Sequence, residues 1–282
     1  MKNVGAVEKR DRTDDMPPLL LIREVTRVFG GLAALSDVSF SVAAREIVSL
    51  IGPNGAGKTT FFNCVTGVAA PTSGAILFRG EEISALAPHE IARRGIARTF
   101  QHIRLFGPLS ALENVMIGGY IRSALPTLGT TVGALFRSRA FLQKEKALKT
   151  RAAELLDFVG LADRAEVAAR NLAYGEQRRL EIARALGADP TLLLLDEPAA
   201  GMNPTETQNL MTLVGRIRAQ GITPFLIEHN MKMVMGISDR VIVFDHGLKI
   251  AEGSAAAIRN DPRVVEAYLG SGAAVPAAQA SA

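Results

Sequence analysis

Gly52-Pro53-Asn54-Gly55-Ala56-Gly57-Lys58-Thr59-Thr60 follows directly on the apolar run Ile47-Val48-Ser49-Leu50-Ile51. A strand therefore feeds a glycine-rich turn that opens a helix, the context that a phosphate-binding loop (P-loop) requires. The glycines let the backbone curl until its N–H groups converge on an anion, and a helix N-terminus adds its own unpaired amides. Lys58 is placed to reach the β- and γ-phosphates of a nucleoside triphosphate, and the Thr59 hydroxyl to ligate Mg²⁺. Asn54, Gly55, Ala56, Gly57 and Thr60 complete the cradle.

Far downstream, Leu192-Leu193-Leu194-Leu195-Asp196-Glu197-Pro198 ends an apolar run on two adjacent acids. A strand tip of this kind is where a Mg²⁺-facing aspartate belongs. Neighbouring carboxylates repel unless they face different partners, so Asp196 is assigned to the metal. Glu197 is then the group that orients or deprotonates an attacking water. Between the two motifs lies Leu172-Ala173-Tyr174-Gly175-Glu176-Gln177-Arg178-Arg179-Leu180, where a small residue and a glycine precede a long helical stretch. That arrangement offers a second helix N-terminus to a phosphate.

With these motifs in this order, the chain resembles the ATP-binding subunits of ABC transporters from about residue 19 to residue 270. The resemblance implies an α/β fold of the P-loop NTPase type: a RecA-like core with a mostly parallel sheet, an antiparallel β subdomain, and a helical subdomain inserted at about 102–186. It also implies that Phe29 stacks on adenine, that Gln101 touches Mg²⁺ and the γ-phosphate while sensing a permease, and that His229 hydrogen-bonds the γ-phosphate. Ala173, Gly175 and Glu176 occupy the signature motif that meets the nucleotide of a second subunit. The catalytic set is then Glu197, His229, Gln101 and Lys58, and the metal set Thr59, Gln101 and Asp196, with ATP and Mg²⁺ as cofactors.

Within that family the sequence looks most similar to the branched-chain amino-acid importers, through Ala199-Ala200-Gly201-Met202-Asn203-Pro204, Ile227-Glu228-His229-Asn230-Met231, Gly236-Ile237-Ser238-Asp239-Arg240 and Ala267-Tyr268-Leu269-Gly270. Two positions depart from the commonest family pattern. Ala173 stands where serine is usual, so backbone amides must replace a hydroxyl there. Asn203 stands where aspartate is usual in the D-loop, and with Pro204 and Glu206 it also forms the pattern of a helix N-cap and capping box.

Composition narrows the alternatives. The 282 residues are 48% hydrophobic, enough for a large core. A net charge of +4, with 5% aromatic residues and no Trp, gives little support for stacking on single-stranded nucleic acid. Cys64, the single cysteine, rules out an internal disulfide and suits a buried apolar role. His89, His102 and His246 lack metal-ligand spacing and are expected at the surface. The mixed-charge residues 1–17 read as a disordered arm with no apolar leader core, and 271–282 as an uncharged frayed tail. No apolar run approaches the roughly 20 residues that cross a bilayer.

Periodicity predicts antiparallel strands over 19–29 and 35–42 joined at Gly30-Gly31, a turn at 71–74, a short strand over 75–78 and a helix over 88–94. A largely helical stretch runs over about 111–186. Strands over 192–195, 222–227 and 240–244 then alternate with helices over 205–218 and 230–235. Residues 121–151 concentrate Arg122, Arg137, Arg139, Lys144, Lys146, Lys149 and Arg151 against one acid, Glu145, with apolar residues interleaved. This pattern fits either a solvated helical face or a helix near anionic headgroups.

The resemblance thus implies an ATP-hydrolysing subunit that powers uptake of branched-chain amino acids, held peripherally at the cytoplasmic face of the inner (plasma) membrane and working with separate transmembrane permease subunits. A second ATP-binding subunit, identical or homologous, completes the nucleotide sites, and nucleic acid is not expected as a partner. The alternatives are the ATPase of a urea or amide importer, that of a lipopolysaccharide-type exporter, or an ABC ATPase outside transport.

Overall fold

A computed structural model describes residues 17–120 and 139–270. The expected N-terminal arm, the C-terminal tail, and Arg122 and Arg137 of the basic segment lie outside them, except for residue 17. Two long strands come first, β1 (Leu20–Phe29) and β2 (Leu32–Val42), paired antiparallel about a turn in which Gly30 takes φ 58°. Next come β3 (Val48–Ile51), α1 (Lys58–Val65), β4 (Ser73–Phe78), β5 (Glu81–Glu82), α2 (Pro88–Arg94) and β6 (Ile96–Arg98). Three helices follow: α3 (Ala111–Tyr120), α4 (Arg139–Phe158) and α5 (Tyr174–Gly187). Alternation then resumes with β7 (Leu192–Asp196), α6 (Pro204–Ala219), β8 (Thr223–Ile227), α7 (Met231–Ile237), β9 (Arg240–Asp245), β10 (Leu248–Gly253), α8 (Ala255–Arg259) and α9 (Pro262–Gly270).

The strands form two sheets, ordered β2-β1-β4-β5 and β10-β9-β3-β8-β7-β6. In the second, every pairing from β9 to β6 is parallel, and only β10 runs antiparallel. The leucine run of β7 shows why. Leu192 and Leu194 point into one core with β1, β2, β4 and α1, whereas Leu193 and Leu195 point into another with α3 to α6. A strand covered on both faces needs apolar residues at successive positions rather than alternation. Each fully buried leucine contributes about 1.5–3 kcal/mol. The first core is completed by Phe40, Phe61, Phe62, Phe225 and Phe244, whose ring centroids lie 5.3 to 6.4 Å apart in tilted and edge contacts. Cys64 is fully buried among them.

Register brings the motifs to one edge. Leu50 of β3 and Asp196 of β7 both pair with Ile227 of β8, so the P-loop, Asp196-Glu197 and His229 all leave the sheet at its carboxyl end. Open parallel sheets bind ligands at that edge.

The expected turn at 71–74 is corrected. Ser73 and Gly74 already belong to β4, because Ser73 pairs with Thr26. The edge strands β5, β6 and β10 and the closing helices α8 and α9 are not among the elements expected from the sequence. β6 is three residues long and carries Arg98, while β10 is lined with Lys249 and Glu252. The stripe Leu210, Leu213, Val214 and Ile217 of α6 is buried as its spacing predicts, and His89, His102 and His246 are exposed.

Candidate functional site

The P-loop turns sharply where β3 ends. Gly52 has φ 148°, and a Cβ there would stand 2.0 Å from the Phe244 carbonyl oxygen. Gly57 has φ 97° at the N-cap of α1, where a Cβ would stand 2.4 Å from the Ala34 carbonyl oxygen. Only glycine fits such positions. The N-terminus of α1 has no side-chain cap, so its first amides remain for an anion. The Lys58 ammonium donates to the carbonyls of Gly52 at 2.7 Å and Pro53 at 2.8 Å, curling the loop around itself. Asn54, Gly55 and Thr59 are exposed, Gly57 and Thr60 are half-buried, and Ala56 is buried beneath them.

Burial lowers the Lys58 ammonium to about 8, against the opposing fields of Glu197 and Asp196. Both acids leave the sheet at the same edge as the loop. A bound triphosphate stabilises the charged lysine, so binding takes up a proton above pH 8. ATP affinity is therefore expected to hold below about pH 8 and to fall above it by at most about tenfold per pH unit. In Lys58→Met the affinity is expected to be low and this slope absent. Calorimetric titration between about pH 7 and pH 10 checks both, and a flat parental profile contradicts the assignment.

At the tip of β7, Asp196 is buried and its Oδ2 accepts from Arg98 Nη2 at 2.7 Å. Arg98 also donates to Asn63 Oδ1 at 2.7 Å and lies 5.5 Å from the Phe62 ring and 5.2 Å from the Phe100 ring. A pair this buried costs about 3–5 kcal/mol if one partner is removed. Glu197 follows with φ 48°, a left-handed conformation uncommon outside glycine, and its side chain meets different partners from that of Asp196. Gln101 Nε2 donates to Glu197 Oε2 at 3.0 Å, and His229 Nε2 lies 3.0 Å from Oε1, donating in its Nε2–H tautomer. Three of the sequence-predicted residues thus converge, two of them on the carboxylate of the third.

Three supporting residues had no assigned role in the sequence. Glu228 is buried and accepts amides from Ala199 at 2.8 Å, His229 at 3.1 Å and Asn230 at 3.2 Å. Burial pushes its carboxyl up, and the three bonds tie the loop after Glu197 to the one carrying His229. Arg178 of α5 donates to the carbonyls of Phe100 and Gln101, and Glu181 Oε1 accepts from the Arg104 amide at 2.8 Å. The segment bearing Gln101 is therefore strapped to the signature helix.

That helix begins at Ala173, whose amide donates to Glu176 Oε2 at 2.9 Å. This bond, reinforced by Arg164, holds the Glu176 carboxyl below its ordinary range. Alanine cannot return the bond, so the first-turn amides around Gly175 have no side-chain cap. By contrast, Asn203 accepts from the Glu206 amide while Glu206 accepts from the Asn203 amide, a complete capping box. Phe29, at the end of β1, exposes about half its surface, and the Arg27 guanidinium lies 4.4 Å from its ring centroid.

Residues 35–200 match the ABC transporter family model, and residues 249–274 match a second one, described as branched-chain amino acid ATP-binding cassette transporter. The protein belongs to the ABC transporter family. It is 46% identical over 255 residues to the high-affinity branched-chain amino acid transport ATP-binding protein BraF of Pseudomonas aeruginosa, covering 90% of this chain and 98% of that one. The ADP conformation of an ATP-binding cassette from an ABC transporter superposes with a TM-score of 0.78 at 31% identity, covering 90% of this chain and 100% of that one. A dimeric cassette in a post-hydrolysis state bound to ADP and Pi superposes with a TM-score of 0.71 at 25% identity, covering 84% and 98%. This ABC ATPase accordingly binds nucleotide, and its hydrolysis is coupled to transport. Among its described residues no helix is long and apolar enough to cross a membrane.

Proposed function

We propose that this ABC ATPase drives import of branched-chain amino acids through separate membrane subunits, working as one half of a dimer that sandwiches two nucleotides. The observation that carries the chemistry is Glu197, held between Gln101 and His229 at the carboxyl end of the sheet. The match of residues 249–274 to the second family model supports the substrate class. Glu197 takes the proton of an attacking water, Lys58 and the amides of α1 neutralise the β/γ-phosphates, and His229 holds the γ-phosphate and Glu197 in register. Gln101 senses the permease, and the amides at Ala173, Gly175 and Glu176 meet the partner subunit's nucleotide. Phe29 stacks on adenine.

The donors for Mg²⁺ are hard oxygens: the exposed Thr59 hydroxyl, the Gln101 amide oxygen left over when its nitrogen donates to Glu197, and the Asp196 oxygen not taken by Arg98. No described cluster of three His, Cys, Asp or Glu forms a protein-only cage. That sparseness fits Mg²⁺, which keeps waters and phosphate oxygens as ligands. When bound, the ion neutralises charge on the β- and γ-phosphates.

The test is reconstitution of the protein with its co-purifying membrane subunits in vesicles. ATP-dependent uptake of leucine, isoleucine or valine is the expected result. Uptake of urea or an amide instead assigns the complex to a related importer, and ATPase activity without any uptake removes the import reading.

A further inference from the structure

Arg98 stands where three elements of the site meet. It ends β6, three residues before Gln101, and its guanidinium reaches both α1 and the tip of β7. Nη2 donates to Asp196 Oδ2 and Nη1 to Asn63 Oδ1, each at 2.7 Å, with Thr66 Oγ1 at 3.4 Å from Nη1. Only 6% of the arginine side chain and 3% of the aspartate side chain are exposed. The buried Nε has no hydrogen-bond partner among the described residues. An unpaired buried N–H disfavours folding, so what places the guanidinium is the pair of acceptors on its outer nitrogens. The rings of Phe62 and Phe100, with centroids 5.5 and 5.2 Å from the guanidinium carbon, leave it little room to turn. The Asp196 amide donates to Thr99 Oγ1 at 3.3 Å, which holds the backbone of the acid as well. Asp196 therefore has Oδ2 already engaged and Oδ1 left to offer.

We propose that Arg98 is a positioning residue that sets which divalent cation the site accepts, by holding Asp196 to one oxygen. The inference rests on the reading of Asp196 as a Mg²⁺ donor. Mg²⁺ demands a near-ideal octahedron and is satisfied by one carboxylate oxygen beside waters and phosphate oxygens, whereas Ca²⁺ gathers more oxygens and can take both from one carboxylate. With Oδ2 bonded to Arg98, the second oxygen is withheld. Mg²⁺ loses nothing by this, and Ca²⁺ loses a ligand. Arginine suits the task because its planar fork spans Asp196 and Asn63 together, tying the carboxylate to the helix that the P-loop opens.

The test uses the full-length protein carrying Glu197→Gln, in excess over bound ATP, with Mn²⁺ as the probe. Electron paramagnetic resonance counts bound Mn²⁺ while Mg²⁺ or Ca²⁺ displaces it, and the readout is the ratio of the two displacement midpoints. In Arg98→Met this ratio is expected to move toward Ca²⁺ by about 10-fold, the lower end of what a hydrogen-bond partner of a metal ligand is worth. Arg98→Gln, which keeps an amide for Asn63 but is too short to hold Oδ2 as well, is expected to shift alike, so the test stands on whichever of the two folds. Arg98→Lys keeps a charged donor beside Oδ2 and is expected to stay within about 2-fold of the parent. Lost stability acts on both metals equally and cancels in the ratio. A parental ratio in Arg98→Met or Arg98→Gln overturns the proposal, as does an equal shift in Arg98→Lys, which marks lost packing instead of a lost donor. Asp196→Asn is the separate control: if it binds Mn²⁺ like the parent, it is the reading of Asp196 as a metal donor that fails.

Discussion

Glu197→Gln is expected to cut ATP hydrolysis by about 100-fold or more while leaving ATP affinity near parental, because in the proposed mechanism it removes the group that accepts a proton from the attacking water. The structure indicates that the substitution is tolerated. Glu197 receives two donors, Gln101 Nε2 and His229 Nε2, each at 3.0 Å. A glutamine keeps one acceptor oxygen for Gln101 and turns its NH₂ toward His229, which accommodates it by moving its proton to Nδ1. The left-handed backbone at φ 48° is set by the loop and is compatible with either side chain. The expected phenotype is thus a folded protein that retains ATP and does not turn it over. Phosphate release from the assembled complex, measured beside equilibrium ATP binding, decides the matter: near-normal turnover removes Glu197 from the base role.

The P-loop was legible because each of its demands is local. Gly57 must be left-handed, Lys58 must sit one residue later, and an apolar strand must precede both. The leucine run of β7 and the Asn203 capping box are local in the same sense. What one sequence cannot display is pairing across distance. Arg98 and Asp196 are 98 residues apart and meet only because β6 lies beside β7, and β6 has three residues, too few for a period to register. Glu228 reads as one acid beside the more conspicuous His229, and its bond to Ala199 is visible only in three dimensions. Periodicity sorts residues by face; it does not say which buried charge meets which.

Gly175→Asp is expected to abolish ATP-driven dimerisation and hydrolysis while single subunits still bind nucleotide within about 2-fold of the parent. In a composite site the first amides of α5 face the γ-phosphate bound by the other subunit, and an aspartate places a like charge there, against the helix dipole that would attract the phosphate. The structure adds a constraint within the subunit. A Cβ at Gly175 would stand 2.6 Å from Glu206 Oε1, and the other oxygen of Glu206 caps the Asn203 amide at 2.9 Å. An aspartate would therefore also press on the capping box that shapes the D-loop. Two further variants separate the effects. Gly175→Ala adds only the Cβ, which the flexible end of Glu206 can avoid, so dimerisation is expected to survive. Combining Gly175→Asp with Glu206→Gln removes the repulsion inside the subunit but keeps the charge facing the partner's phosphate, so dimerisation is expected to stay lost. Sedimentation of each variant with and without ATP, in the Glu197→Gln background to prevent turnover, reads both. Recovery in the combined variant would locate the effect in the subunit's own D-loop, and ATP-dependent dimers of Gly175→Asp itself would mean that the site is not shared between subunits.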